Sequence, residues 1–237
     1  MANPVLLNNI EHKDLRIITR HGHGLGDSHP YVPTFPFEFR LLQAHYPIAF
    51  RKMSETEPYE PVALFGFEAE ENLFLSENGW DATTIPLLVD RLPFLIGQHG
   101  NEMMIHIDMD SPRISKTEGE PIFLEHGGMT PYLENINSML VTIHQGMESN
   151  AAFVEALVKY DLLESFALDV QLDDGSQHRL AGFYTIHEEN LNKLDGAALE
   201  SLHKADFLAP IYYQLASLSN FRALIDRKNA RHAAART

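Results

Sequence analysis

The sequence predicts an α+β fold: a mostly antiparallel sheet in the first half and a central hairpin, packed by helices from the second half. Three observations carry this. Between Glu38 and Phe94, short apolar segments are separated by Pro, Gly and acidic residues. Each is too short, and too rich in β-branched or aromatic residues, for a free-standing helix, which is how buried strands are written. From Thr130 the apolar period changes to three and four residues, the helical step, and a strong hairpin signal follows. Strand and helix do not alternate regularly, so a doubly wound parallel sheet fits poorly.

Taken in order, Asp14-Leu15-Arg16-Ile17-Ile18-Thr19-Arg20 alternates and reads as an edge or half-buried strand. His21-Gly22-His23-Gly24-Leu25-Gly26-Asp27-Ser28-His29-Pro30 reads as a loop, since three glycines and a proline leave no regular element. Phe37, Leu41, Leu42 and Ala44 fit a short helix that Pro47 ends sterically. Strands follow near residues 47–52, 61–67 and 72–75, and together the first half is expected to pack as one pleated layer. Pro86 opens a helical turn over 85–91, and residues 103–108 form the next strand. Gly119 begins a turn into an apolar segment ending at Leu124.

Leu133, Ile136, Met139, Leu140 and Ile143, continued by Ala152, Phe153, Ala156, Leu157 and Tyr160, then mark one helix. Residues 165–172 alternate, Asp173-Asp174-Gly175-Ser176 supplies a turn, and residues 178–186 return as its partner strand. From Glu188 the chain is helical. Its basic end, Arg227 to Thr237, reads as a frayed helix terminus, with docking on an acidic face of another copy or a partner as the alternative.

A length of 237 residues with 44% hydrophobic content suits one large domain or two small ones. No linker or fixed repeat divides it, so a single domain over residues 1–225 with a basic tail at 226–237 is expected. The formal net charge of −15, from 33 acidic and 18 basic residues, opposes nucleic-acid binding and adsorption to anionic membranes. Cysteine is absent, which removes disulfides, thiolate nucleophiles and thiolate metal sites. No apolar run approaches the roughly 20 residues a bilayer requires, and the first residues lack the pattern of a secretory signal. A soluble, cytoplasmic protein is expected.

Charged residues within apolar sequence are the sharpest candidates for a site. Glu38, Arg91 and Asp108 are of this kind, and unpaired burial of each would cost several kcal/mol. Arg91 is therefore expected to contact a carboxylate. Trp80, the single tryptophan, follows Gly79 and walls an apolar pocket or plugs the core. The ligand-binding set is thus Glu38, Trp80, Arg91 and Asp108.

His106-Ile107-Asp108 puts two metal-ligand types on one strand face, as a two-histidine, one-carboxylate iron site does. His178 or His187 would supply the third ligand and Arg179 a 2-oxo acid contact, although neighbouring strand residues face opposite ways. His21, His23 and His29 form a second metal-like cluster, with a solvated loop as the competing reading. No nucleophile elbow or phosphate-cradling glycine loop is present, and no cofactor is assigned.

The series Glu38-Phe39, Tyr46-Pro47-Ile48-Ala49-Phe50, residues 61–67, Asn72-Leu73-Phe74-Leu75, Gly79-Trp80 and Arg91-Leu92-Pro93-Phe94 resembles the SapC family. So do residues 153–163, the hairpin from Asp174 to Phe183, and the stretch from Glu188 to Leu208. The resemblance runs from about Leu6 to Leu224 and carries over no catalytic residues. It implies an accessory protein that binds a peptide, a small molecule or a partner enzyme in a pathway linked to TonB-dependent uptake or surface-layer export. Implied partners are a tryptophan-halogenase-like flavoprotein, an oxygenase or a TonB-dependent receptor system. The rival reading, from the His-x-Asp motif, is a non-haem iron, 2-oxo-acid-dependent oxygenase.

Overall fold

The computed structural model describes residues 3–52, 54, 58–99 and 102–234. In chain order these form β1 (Pro4–Leu6), β2 (Arg16–Ile17), β3 (Tyr31–Pro33), α1 (Pro36–Leu42), β4 (Ile48–Arg51), β5 (Glu60–Leu64), β6 (Leu75–Ser76) and β7 (Gly79–Trp80). There follow α2 (Leu87–Asp90), β8 (Phe94–His99), β9 (Glu102–Asp108), β10 (Ile114–Ser115), β11 (Glu120–Pro121) and the long helix α3 (Pro131–Lys159). The chain continues through β12 (Leu163–Gln171), β13 (Gln177–Ile186), α4 (Glu188–Asn192), α5 (Gly196–Lys204), α6 (Leu208–Ser217) and α7 (Asn220–Ala234). Every strand pairing among the described residues is antiparallel. The fold is α+β.

The first half does not make one pleated layer. Its strands are shared among four sheets, because short segments broken by Pro and Gly find separate partners. The chain falls into two compact units. The first comprises Met1–Ser28, Leu75–Asp81 and Leu87–Gln145, and the second His29–Phe74, Ala82–Pro86 and Gly146–Thr237. No linker composition marks this division, because the stretches forming each unit alternate along the sequence.

In the first unit, β8 and β1 flank β9, β10 and β11 flank β2, and β6 pairs with β7. Ile17, Phe94, Ile107 and Ile122 are buried, as are Leu133, Ile136, Leu140 and Ile143 on the first half of α3. That spacing is the amphipathic period seen in the sequence.

The second unit holds a five-stranded sheet in the order β12-β13-β4-β5-β3. In the turn joining β12 to β13, Gly175 has φ +86°, which a side chain would strain. Helix α6 contacts β4 and β13. There the fully buried Gln214 donates from Nε2 to the Ile48 carbonyl at 2.8 Å, and Ser217 Oγ accepts the Ile48 N–H at 2.9 Å. These two side chains satisfy strand groups that the sheet leaves open. Phe153 packs edge-to-face on Phe39 and Phe207 at centroid distances of 6.0 and 5.4 Å.

Gly146 lies inside α3, where glycine ordinarily weakens a helix by up to about 1 kcal/mol. Here a Cβ would come within 2.2 Å of the buried Phe35 ring. Gly146→Ala is therefore expected to destabilise by about 1–2 kcal/mol, overpacking outweighing the gain in propensity. A urea midpoint raised by the substitution would refute this close packing.

The basic C-terminal run continues as helix through Ala234, and residues 235–237 of the expected tail lie outside the described residues. Its anchor is Lys228, only 2% exposed, whose ammonium meets Glu71 at 2.5 Å and Glu68 at 3.1 Å. Arg231 adds a bond to the Asn72 carbonyl at 3.0 Å. The acidic surface that receives the tail is part of its own chain.

Candidate functional site

An open groove of about 1060 Å³ occupies the second unit. The end of β4 contributes Arg51 and Lys52, residues 58–61 form a second wall, and the second half of α3 supplies a third. Met147, Ala151, Val154 and Val158 of that helix recur at steps of four, three and four, so they form one stripe. The core stripe of the same helix carries Phe153 and Leu157, both fully buried. α3 thus presents two apolar faces. Val158, at 54% exposure, shows that the second is only partly covered.

The polar groups of this groove are held in place. Arg51 pairs with Glu60 at 2.8 Å and donates from Nη1 to the Tyr31 hydroxyl at 2.8 Å. The Lys52 ammonium lies 4.7 Å from the Tyr59 ring centroid, and that ring meets Tyr184 edge-on at 4.8 Å. Asn150 donates from Nδ2 to the Thr34 carbonyl at 3.0 Å, leaving a buried Oδ1 without a partner. The groove therefore combines an apolar stripe, a fixed guanidinium and an unused acceptor, the makings of a site that orients its occupant.

The first unit contains a buried ionic cluster centred on Arg113 and Asp27, neither of them among the site residues expected from sequence. Arg113 is 2% exposed. Its Nη1 donates to the carbonyls of Ile18 and Arg20 at 2.9 and 2.8 Å, and its Nη2 to both oxygens of Asp27 at 2.7 and 2.8 Å. Asp27 also accepts the Gly22 N–H at 2.9 Å, which closes the glycine loop. Burial alone would raise the Asp27 carboxyl. The His21 and Gly22 hydrogen bonds and the Arg113 charge outweigh it and hold the carboxyl below its usual value.

His21 is mostly buried, not solvated. Its Nδ1 lies 3.3 Å from Asp27 Oδ1 and its Nε2 3.6 Å from Asp90 Oδ1, and its ring meets Trp80 edge-on at 5.6 Å. Burial opposes protonation and Arg113 adds to that opposition, but the two carboxylates prevail and raise its pKa. A small cavity of about 80 Å³ lies beside the cluster, lined by Asp90, Arg113 and Tyr132 among others.

Of the four residues expected to bind ligand, Trp80 touches this cluster through His21. Arg91 sits between Asp90 and Leu92, which both line the cavity. No carboxylate pairs with Arg91 among the described residues, contrary to expectation. It donates from Nη1 to the Phe94 carbonyl, its buried Nε–H has no partner, and burial pushes its pKa down. The backbone oxygen at the start of β8 has taken the place of the carboxylate. Asp108 accepts the Asn3 and Asp110 N–H groups at 2.7 and 3.1 Å, closing the end of β9. Glu38 belongs to the second unit, buried on α1 and accepting from the Thr34 hydroxyl at 2.9 Å.

The donors named for an iron site each have other surroundings within their own unit. His106 lies against Gly97, where a Cβ would be 2.2 Å from the ring. His178 faces Glu68 at 3.1 Å, Arg179 pairs with Asp169 at 3.6 Å, and His187 precedes the first turn of α4. His23 lies 3.5 Å from Ser28, and His29 falls in the second unit. Among the described residues, no three His, Asp or Glu side chains are grouped to hold a metal ion. No described helix is long and apolar enough to cross a membrane.

The family model for SapC matches residues 7–224 of the chain. The chain belongs to the SapC family. No curated protein matches it, and no solved structure does either. The SapC match includes every groove residue named above, as well as Asp27, Asp90, Arg113 and Tyr132. Lys228 lies beyond it.

Proposed function

We propose that this SapC protein is an accessory protein that binds a peptide or a segment of a partner enzyme in the groove beside α3. The pathway is one linked to TonB-dependent uptake or surface-layer export. The observation supporting binding is the second apolar stripe of α3, which lines the groove. At about 1060 Å³ the groove lies at the upper end of the roughly 300–1,000 Å³ typical of ligand sites, and it is open, as a site for a peptide segment would be. The pathway and partners rest on the family resemblance.

The test is a pull-down, followed by native mass spectrometry, with co-encoded flavoprotein, oxygenase and receptor-plug peptides. At least one should be retained. Val158→Asp should weaken that complex about tenfold or more, since it sets a carboxylate on the apolar stripe. Val158 is largely exposed, so this variant should fold. Retention of no candidate, or equal retention by the variant, would sink the proposal.

A further inference from the structure

The 80 Å³ cavity of the first unit is lined by a residue with an unsatisfied buried donor, Arg113. At about 30 Å³ per water it has room for two or three waters, or for one small organic group. Arg113 lines it and has used its Nη1 and Nη2 donors on Ile18, Arg20 and Asp27. Its Nε–H is buried without a partner. A guanidinium N–H left unpaired inside a protein is costly, so whatever fills the cavity should accept from it.

The other walls sharpen the choice. The Tyr132 hydroxyl makes no hydrogen bond among the described residues, and burial together with the charge of Asp90 raises its pKa, so it remains a donor. Asp90 supplies a carboxylate that reaches solvent. Glu120 adds negative charge felt at Tyr132. A bare anion would meet Asp90, and a bare cation would meet Arg113. A small molecule carrying both charges matches both sides.

We infer that the cavity binds the head of a free α-amino acid with little or no side chain. Its carboxylate accepts from Arg113 Nε–H and the Tyr132 hydroxyl, and its ammonium faces Asp90. The site is separate from the α3 groove and does not depend on the reading given to it.

Glycine is the probe, with acetate and methylammonium as its two halves. Binding is read by calorimetry and by the emission of Trp80, whose ring contacts His21 between Asp27 and Asp90. Glycine should give a saturable response, with acetate and methylammonium each at least about tenfold weaker. Asp90→Asn and Tyr132→Phe should each weaken glycine about tenfold, the scale of one hydrogen bond to a charged group. Both are near-isosteric, and an unchanged circular dichroism melt confirms that they fold. No saturable response to glycine in the unmodified protein would mean the cavity holds only water and would overturn the inference. Acetate binding as tightly as glycine, or Asp90→Asn without effect, would overturn it equally.

Discussion

Asp27→Ala is expected to cost about 3–5 kcal/mol of folding stability, because it strands the buried Arg113 guanidinium without its counter-charge. That is a large share of the roughly 5–15 kcal/mol by which a domain is ordinarily stable. Urea unfolding, followed by Trp80 emission, measures it. A loss below about 1 kcal/mol would show that the ion pair is not desolvated in solution. The same cluster sets a pH profile. Asp27 is held below its ordinary value of 3.8, so its contribution is complete above that value and drains away as the pH falls through the lower folded value. His21 is raised above 6.5, so its contribution is complete below that value and is lost as the pH rises through the higher folded value. Stability should peak between the two. His21→Asn should flatten the alkaline limb and also weaken the acid limb, since the His21 hydrogen bond is one of the contacts that lower Asp27.

The second large effect belongs to the C-terminal helix. Lys228→Ala should cost about 3 kcal/mol, since Glu71 is nearly buried and loses the cation that neutralises it. Lys228→Met separates the contributions, keeping the apolar stem while removing the charge. It should recover only the packing part of the loss. Chemical denaturation of both variants beside the unmodified protein decides the matter. If Lys228→Ala falls within about 0.5 kcal/mol of the parent, the tail is not anchored by this ion pair and behaves like an ordinary exposed surface.

The legible parts of the fold were those written locally. The helical period over residues 133–160 is observed as α3, and Asp173-Asp174-Gly175-Ser176 joins β12 to β13. Each is fixed by neighbours within a few residues. Sheet membership was not legible, because β2 takes both its partners from residues 114–121 and β4 takes one from the distant hairpin. The Arg113–Asp27 pair spans 86 positions, and Asp27 lies in a glycine-rich loop that reads as solvated. Arg113, between Pro112 and Ile114, carried the same signal that marked Arg91: a charge among apolar neighbours. The stripe of Met147, Ala151, Val154 and Val158 was also available, hidden by the stronger core period of Phe153 and Leu157 on the same helix.

Because each unit is knitted from three separated stretches of chain, no uninterrupted stretch of the gene encodes either one alone. A single proteolytic nick can free neither half intact. Excising one for isolated study would mean splicing ends that nature keeps apart.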